Sequence, residues 1–498
     1  MPTQNEYNVA KQISRKIYSK FEILNSAYQV IGNLEGVVIG SPSFTNDATS
    51  DLRRSFSMQL NPTDSSFDIK SGGKLWIDKL IKVYVGIYDD LNNNIVYTNM
   101  GIYIVNNPSY TYNAIENTLS ISGLDLMAKL TGLRNGNLEG MDYQITMGSN
   151  IRNAIISTIQ LGGFTRYICS ECTNNYGEIV NVPKNINIDV GGTVYDILNQ
   201  LVSILPLYQM YFDVDGVFHY DRIPSGENEQ IIASDDLWKS VMVDYNINYD
   251  YESVKNKITV IGKTWDNLIN YGTTVKSAEV DTYDVILSDP LVFPTNDNEM
   301  SYFAFVTPSS VWSGIVATIN FKKGDGTLMS YCMFIHKEWG DAIDLQPNTY
   351  YVIRKDANEP KIPPQVEDMS LAIVSEYSPT YTVSETNPDS PFYINGSTGT
   401  IKITLSGGDY DNIYTVDLAR QRSEFELYTR CRLLDSVTIN CAPIYWLDVN
   451  KVVEITLPNK YGIEETNKYI VKQINTSYGV NDTQSITMMK YYPFYPSV

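Results

Sequence analysis

The residues best spaced for chemistry are Cys169 and Cys172, which form a C-x-x-C in "YICSECTNNYG". A structural zinc site needs four nitrogen or sulfur ligands, so this pair would need a second C-x-x-C or histidines at matching spacing. The chain holds five Cys and two His, has no second C-x-x-C, and places neither His219 nor His336 nearby in sequence. The pair therefore reads as two free thiols. "DVDG", from Asp213, looks like the opening of a calcium loop, which requires Gly at its sixth position and Glu at its twelfth. Here Gly216 falls at the fourth and Pro224 at the twelfth, so the segment reads as a hairpin turn at Asp215-Gly216. "IHKEWGD" gathers His336, Glu338 and Asp341, which a hydrolase could use as acid, base or ligand. No H-E-x-x-H spacing accompanies them, and they read as a polar strand end. Glycoside cleavage by paired carboxylates stays open, because the 57 Asp and Glu residues offer many pairs and a sequence gives no separations. Trp312 and Trp339 can stack on sugar faces, although a place in the core is the commoner use of Trp. No catalytic residue, metal ligand, cofactor-binding residue or cofactor is assigned, and the chain reads as a non-enzyme.

A different kind of polar feature lies in "DATSDLRRSFSMQL", where Arg53 and Arg54 precede a clean alternation. Phe56, Met58 and Leu60 fall on one side, and Ser55, Ser57 and Gln59 on the other. This is the pattern of a half-buried strand. An arginine pair at its mouth, in a chain with a formal net charge of -20, suits an ion pair across a subunit or tube contact. It equally suits a solvated gatekeeper that keeps an edge strand from aggregating. Arg53 and Arg54 are thus the candidate interface residues.

The elements that must carry these residues are mostly strands. Hydrophobic residues make up 43% of the 498 and charged ones 19%, which is enough to build large cores and unlike a disordered chain. Tyr, at 38 copies against 15 Phe, favours strands and wet contact surfaces. The opening "MPTQNEYNVAKQ" lacks the apolar stretch of a secretory leader, and no apolar run is long enough for a membrane-spanning helix. The odd number of dispersed Cys fits folding in a reducing compartment. The negative charge argues against tight nucleic-acid binding but suits a wall along which a duplex slides without sticking.

Along the chain, residues 1–20 read as an arm, with a short helix over Asn8 to Phe21 that sets Val9, Ile13 and Ile17 on one face. Strand signals then run to about Met127. Val83, Val85 and Ile87 alternate with Tyr84, Gly86 and Tyr88, and Asn92-Asn93-Asn94 marks a turn. Ile151, Ile155 and Ile159 have helical spacing, stopped by Gly162-Gly163. Thr193 and Asp196 form a capping-box-like start for a helix ended by Pro206. The hairpin "LYQMYFDVDGVFHYDRI" follows. Residues 281–380 have their own turn texture and a Pro-rich exit, "EPKIPP", and read as an inserted β-sandwich.

Two segments echo each other. Trp76-Ile77-Asp78 precedes Val83 as Trp446-Leu447-Asp448 precedes Val453. "GIYIVNNPSYTY" and "NTLSISGLDLM" then parallel "NKYIVKQINTSY" and "DTQSITMMKYY". Either two antiparallel meanders resemble each other by chance, or one barrel occurs twice; three chains would then present six barrels, the number needed to dock on a sixfold ring.

The order "KFEILNSAYQVIG…DATSDLRRSFSMQL…KLWIDKLIKVYVGI…GIYIVNNPSYTY", then "LVSILPLYQMYFDVDGVFHY", then "NPDSPFYI…SGGDYDNIYTVDLARQRSEFELYTRCRLLDSVTI", "WLDVNKVVEI" and "SITMMKYYP" resembles the baseplate hub (tail-tip hub) proteins of bacteriophage tails and related contractile particles. The likeness covers most of the chain except about 281–380. With the residue patterns it gives a mainly β fold with a small α+β domain: an arm (1–20), a first tube-like β-barrel (21–132), an α+β middle domain (133–238) and a second tube-like barrel (239–280 and 381–498), while the inserted β-sandwich (281–380) is a departure whose role the resemblance does not explain. The resemblance also implies a homotrimeric structural protein that adapts a sixfold tail tube to a threefold spike and leaves a channel for DNA. Its expected partners are the tail tube or distal tail protein, a spike or plug, baseplate wedge proteins and the tape-measure C-terminus. The expected location is the tail baseplate or tip of a virion assembled in the bacterial cytoplasm. The alternatives are a tail-associated cell-wall hydrolase and a carbohydrate-binding receptor protein that uses the inserted sandwich.

Overall fold

The computed structural model describes residues 2–263 and 378–493 apart from a few loop positions, and only strand backbones between them. Chain contacts divide it into two units, Met1–Val254 with Tyr428–Val498, and Lys255–Leu427. His336, Glu338, Asp341, Trp312, Trp339 and the Pro-rich stretch at 359–364 lie outside the described residues.

The first unit opens with helix α1 (Gln4–Ala10), capped by Thr3, whose side chain and backbone exchange hydrogen bonds with Glu6. Strands β1 (Ile17–Leu24), β2 (Val30–Asn33), β3 (Val38–Asp47), β4 (Arg54–Leu60), β5 (Leu80–Asp89), β6 (Asn94–Tyr112) and β7 (Asn117–Leu124) follow. The helix expected over Asn8 to Phe21 is not formed. Val9, Ile13 and Ile17 have helical spacing, but Phe21 and Ile23 continue a period of two from Ile17, and β1 pairs with β5 over eight residues. That ladder outweighs a three-residue apolar stripe whose middle member, Ile13, is fully exposed.

The α+β segment contains β8 (Tyr143–Ile145), α2 (Ile151–Leu161), β9 (Tyr167–Cys169), β10 (Ile186–Ile188), α3 (Val194–Ser203), β11 (Tyr208–Phe212) and β12 (Phe218–Arg222). Helix α2 ends at Gly162, and α3 starts in a reciprocal Thr193–Asp196 capping box. β11 and β12 form the expected hairpin, with Gly216 at φ 71 and the Asp213 carboxylate accepting from the backbone N–H of Asp215 and Val217. A left-handed turn residue of this kind favours glycine. Then come β13 (Ile231–Ala233), α4 (Asp235–Val241) and β14 (Met242–Asp250).

The second unit holds β15 (Lys257–Ile261), eight strands β16–β23 between Thr273 and Ser370, β24 (Thr380–Ser384), β25 (Lys402–Leu405) and most of α5 (Val416–Arg430). β15 lies between β24 and β25 in a sheet of its own, over a core of Ile258, Val260, Ile413 and Ala419. The buried Asn256 side chain organises the loop before β25: it donates to the carbonyls of Phe392 and Gly399 and accepts from the N–H of Ile401. These strands, drawn by the sequence reading into the second barrel, do not join its sheet; their own apolar faces close on each other and on Ala419 of α5. β16–β23 form a five-stranded and a three-stranded sheet, and their side-chain packing lies outside the described residues.

Back in the first unit, β26 (Leu434–Cys441), β27 (Val452–Pro458), β28 (Glu464–Ser477) and β29 (Gln484–Lys490) complete a thirteen-stranded sheet. Its pairing order is β14-β26-β29-β28-β3-β4-β7-β6-β5-β1-β2, with β27 on β28 and β13 on β27. The sheet has two halves with one plan. β3-β4-β7-β6-β5 matches β14-β26-β29-β28-β27, antiparallel throughout. The match extends to a bulge: β6 shifts register against β7 between Asn106 and Ser109, and β28 shifts against β29 between Val471 and Gln473, at neighbouring positions of the alignment. Each half closes on its own core. The first is built on Phe21, Phe56, Met58, Val83, Val85 and Ile121, and the second on Trp238, Val437, Ile439, Val453, Val471 and Met488.

Gly123 of β7 admits the aromatic centre of the first core. A Cβ there would lie 2.0 Å from the ring of Phe56 and 2.8 Å from the Tyr103 Cβ, while the two rings already meet edge to face at 4.7 Å. Gly123→Ala is therefore expected to cost roughly 1–3 kcal/mol through overpacking. Urea denaturation measures it, and an unchanged midpoint would mean that Phe56 moves aside freely.

Candidate functional site

The two halves meet where β3 pairs with β28, from Gln473 opposite Asp47 to Ser477 opposite Ser43. Beside this seam stand Arg53 and Arg54. Neither is at a solvated strand mouth: they are 5% and 4% exposed. The mouth of β4 is covered on three sides, by Asp125 after β7, by the β11–β12 hairpin and by the loop before β27. The ion pair foreseen between subunits thus lies within one chain, between the halves of its sheet.

Arg54 donates through Nη2 to both oxygens of Asp448, at 2.9 and 2.7 Å. Its Nη1 donates to the carbonyl of Phe212, the last residue of β11. Asp448 also accepts from Asn46 Nδ2 at 2.6 Å and from the Val449 N–H at 2.8 Å. Burial alone would raise the Asp448 carboxyl, but Arg54 and then Arg53 outweigh it and hold Asp448 below the usual carboxylate range. Burial likewise works against the Arg54 cation, and Asp448 and Asp125 more than restore it. Asp125, fixed by accepting from the Met127 N–H at 2.9 Å, is pushed up by burial despite Arg54.

Arg53 joins the third part of the chain. Its Nη2 donates to Gln209 Oε1 at 2.7 Å, and its guanidinium lies over the Tyr211 ring at 4.1 Å. Gln209 Oε1 also accepts from Asn450 Nδ2 at 2.7 Å, and Asn450 Oδ1 accepts from Lys472 Nζ at 3.0 Å. The far face of Tyr211 stacks on His219 at 5.0 Å, and its hydroxyl donates to Asp221 at 3.0 Å. His219 Nε2 pairs with Asp213 at 3.0 Å. The hairpin turn is anchored again at Asp215, which accepts from Lys82 at 3.0 Å and Asn99 at 2.8 Å on β5 and β6. A cavity of ≈290 Å³ opens beside the seam, with Glu6, Asn46, Arg54, Tyr103, Trp446 and Asp448 among its walls. α1 reaches it from both halves: Thr98 donates to Glu6 at 3.1 Å, and Tyr7 stacks on Trp446 at 5.8 Å.

The carboxylates of this arrangement are committed to guanidinium, amide or phenol donors, so its chemistry is that of a joint among three parts of the chain. Cys169 and Cys172 stand apart from it. Burial pushes both thiols up to about 11, where they are protonated and weak as ligands or nucleophiles. The sequence reading found Arg53 and Arg54 but missed Asp448, Gln209, Asn450 and Lys472. Asp448 had a signal in the echo, where Trp446-Leu447-Asp448 aligns with Trp76-Ile77-Asp78. Asp448 is engaged at the seam, whereas Asp78 pairs with the adjacent Lys79 near the surface.

Residues 389–495 match a family described as a domain of unknown function, DUF5048. No curated protein matches the chain. Among solved structures, a 43 kDa tail protein of prophage MuSo2 from Shewanella oneidensis is 10% identical, with 95% of this chain and 98% of that one covered at a TM-score of 0.48. The tail protein from Neisseria meningitidis MC58 is 9% identical over 96% and 98%, at 0.49. A Francisella PdpA–VgrG complex chain is 11% identical over 97% of this chain and 54% of its own, at 0.42.

Two outcomes follow from the seam. Arg54→Met leaves Asp448 buried without its cation and is expected to cost about 3–5 kcal/mol, while Arg54→Met with Asp448→Leu recovers part of the loss. Urea midpoints of the singles and the double at pH 7 check this, and additive losses would deny the coupling. Lys472 is lowered to about 8 by burial and then by Arg53, against 10.5 for a free lysine. The unfolded chain therefore binds the extra proton between about pH 8 and 10.5, and stability from this group rises with pH across that window. Lys472→Met should abolish that rise in Tm, and an unchanged slope would place its origin elsewhere.

Proposed function

We propose that the chain is a structural tail protein and, more finely, the trimeric baseplate hub that adapts a sixfold tail tube to a threefold spike. The observation that carries the reading is the repeated strand order of the two half-sheets, down to the shared bulge. Two like modules per chain let three chains offer six like surfaces to a sixfold ring while remaining threefold elsewhere. The sequence layout, similar to hub proteins, supports the same reading. Its partners would be a second and third copy, the tail tube or distal tail protein, a spike or plug, wedge proteins and the end of the tape-measure protein, at the baseplate or tip of a virion.

The mechanism is geometric. The joint around Arg54 holds the two modules in one fixed relation, so that matching is built into the chain. With a net charge of -20, an acidic inner wall repels duplex DNA, which then passes without being held. The described histidine, His219, is committed to Asp213 and stacked under Tyr211, which suits a structural role better than general acid-base work.

Cryo-electron microscopy of the purified protein or its particle tests the reading. We expect threefold rings with six similar barrel-like modules and more Asp and Glu than Lys and Arg on the inner wall. A ring with a basic lumen that binds duplex at physiological salt would overturn the channel mechanism. A monomer that clears a peptidoglycan zymogram, or one that binds a glycan array, would replace the hub by a hydrolase or a receptor.

A further inference from the structure

The repeated plan leaves two strand edges without the neighbour that their counterparts have. In the first half, the outer edge of β3 is occupied by β28. The counterpart of β3 is β14, and among the described residues only β26 pairs with β14. The counterpart of β28 is β6. Its Asn94–Ile104 stretch pairs with β5, but past Val105 only β7 pairs with it, so one edge of Ser109–Tyr112 is open among the described residues. Both open edges carry exposed aromatic side chains. Tyr110 and Tyr112 are 57% and 74% exposed and stack on each other at 6.5 Å, and Tyr249 of β14 is 56% exposed. A strand edge with unpaired backbone groups is a template for another chain.

We propose that β14 of one copy pairs antiparallel with Ser109–Tyr112 of β6 in a second copy, repeating between chains the seam that β3 and β28 make within one. The inference rests on the trimeric reading and names the strands that join its subunits. The internal seam also sets the register. Through β4 and β26, Phe44 corresponds to Ile247, Thr45 to Asn248 and Ser43 to Asn246. Through β7 and β29, Thr476 corresponds to Tyr110 and Asn475 to Ser109. Since Asn475 faces Thr45 and Thr476 faces Phe44, Ser109 is to face Asn248 and Tyr110 to face Ile247. Pro108 has no N–H to give, which starts the ladder at Ser109. The ion pair does not recur. The position of Arg54 is taken by Asp435 and that of Asp448 by Asp78, so the joint between chains would rest on the ladder and the tyrosines.

The test is the double variant Ser109→Cys with Asn248→Cys in the full chain. At the internal seam the equivalent side chains touch, Thr45 Oγ1 lying 3.1 Å from Asn475 Oδ1, so the new thiols would be within disulfide reach. Mild oxidation is expected to give a disulfide-linked trimer on a non-reducing gel. Ser109→Cys with Val243→Cys, out of register, should give none. If native mass spectrometry in reducing buffer shows trimers but the Ser109–Asn248 bond never forms, this pairing is wrong and the trimeric reading stands. A covalent ladder beyond the trimer would keep the joint and overturn the trimer. A monomer at every concentration, with no cross-link, would overturn both.

Discussion

A guanidinium that leaves water must find its charges again inside the protein, and the seam of this chain is organised around that demand. Arg54 is buried at the first residue of β4, where its desolvation is offset because Asp448 arrives from the other half of the sheet, Asp125 stands nearby and the Phe212 carbonyl comes from the hairpin. Remove Asp448 and a buried charge is stranded. The pair is therefore weak as a source of net stability but strong as a specification, since few relative placements of the three parts satisfy it. Arg53 adds a flat contact, its guanidinium on Tyr211, and spends its directed bond on Gln209. Lys472 is held by one amide oxygen and lowered by burial and Arg53.

The same seam explains why a repeated module need not give a symmetric chain. The halves share strand order and a bulge, yet β1 pairs antiparallel with β5 while β13 pairs parallel with β27. The difference follows from connection. β1 runs into the first half from the N-terminal helix, whereas β13 leaves the α+β segment and enters α4, whose Trp238 fills the second core. The extra residue of the bulge in β28 is Lys472, directed to Asn450.

Much of the fold was legible because local signals agreed with tertiary demands. The alternation of Phe56, Met58 and Leu60, the capping box at Thr193 and the turn at Asp215-Gly216 each have one physical meaning, and each is realised. The N-terminal helix was misplaced because three apolar residues at helical spacing compete with a strand pattern, and only the partner strand β5 decides between them. The second barrel was drawn too wide for a related reason. Ile258 and Val260 read as barrel strand, and no local feature tells which apolar face they meet. The site was legible only as to its arginines. An Arg-Arg pair is conspicuous in an acidic chain, but Asp448 lies 394 residues away and Gln209 156 from Arg53, so neither partner can be inferred from spacing.

The asymmetry of the two seams bears on assembly. The junction within the chain has a buried ion pair, an amide network and a covering helix. Its counterpart between copies would place Asp435 and Asp78 where Arg54 and Asp448 stand, and the Asp435 carboxyl is already raised by burial with one oxygen lacking a partner. A joint that must form once, during folding, gains from the strict geometry of a buried ion pair. A joint that must form between finished chains, in a cell crowded with other strand edges, gains more from a short ladder flanked by tyrosines, whose flat amphipathic faces lose little entropy on contact. The chemistry of the two seams would thus be divided by the order of events: charge where the chain meets itself, and backbone and ring where it would meet its copies.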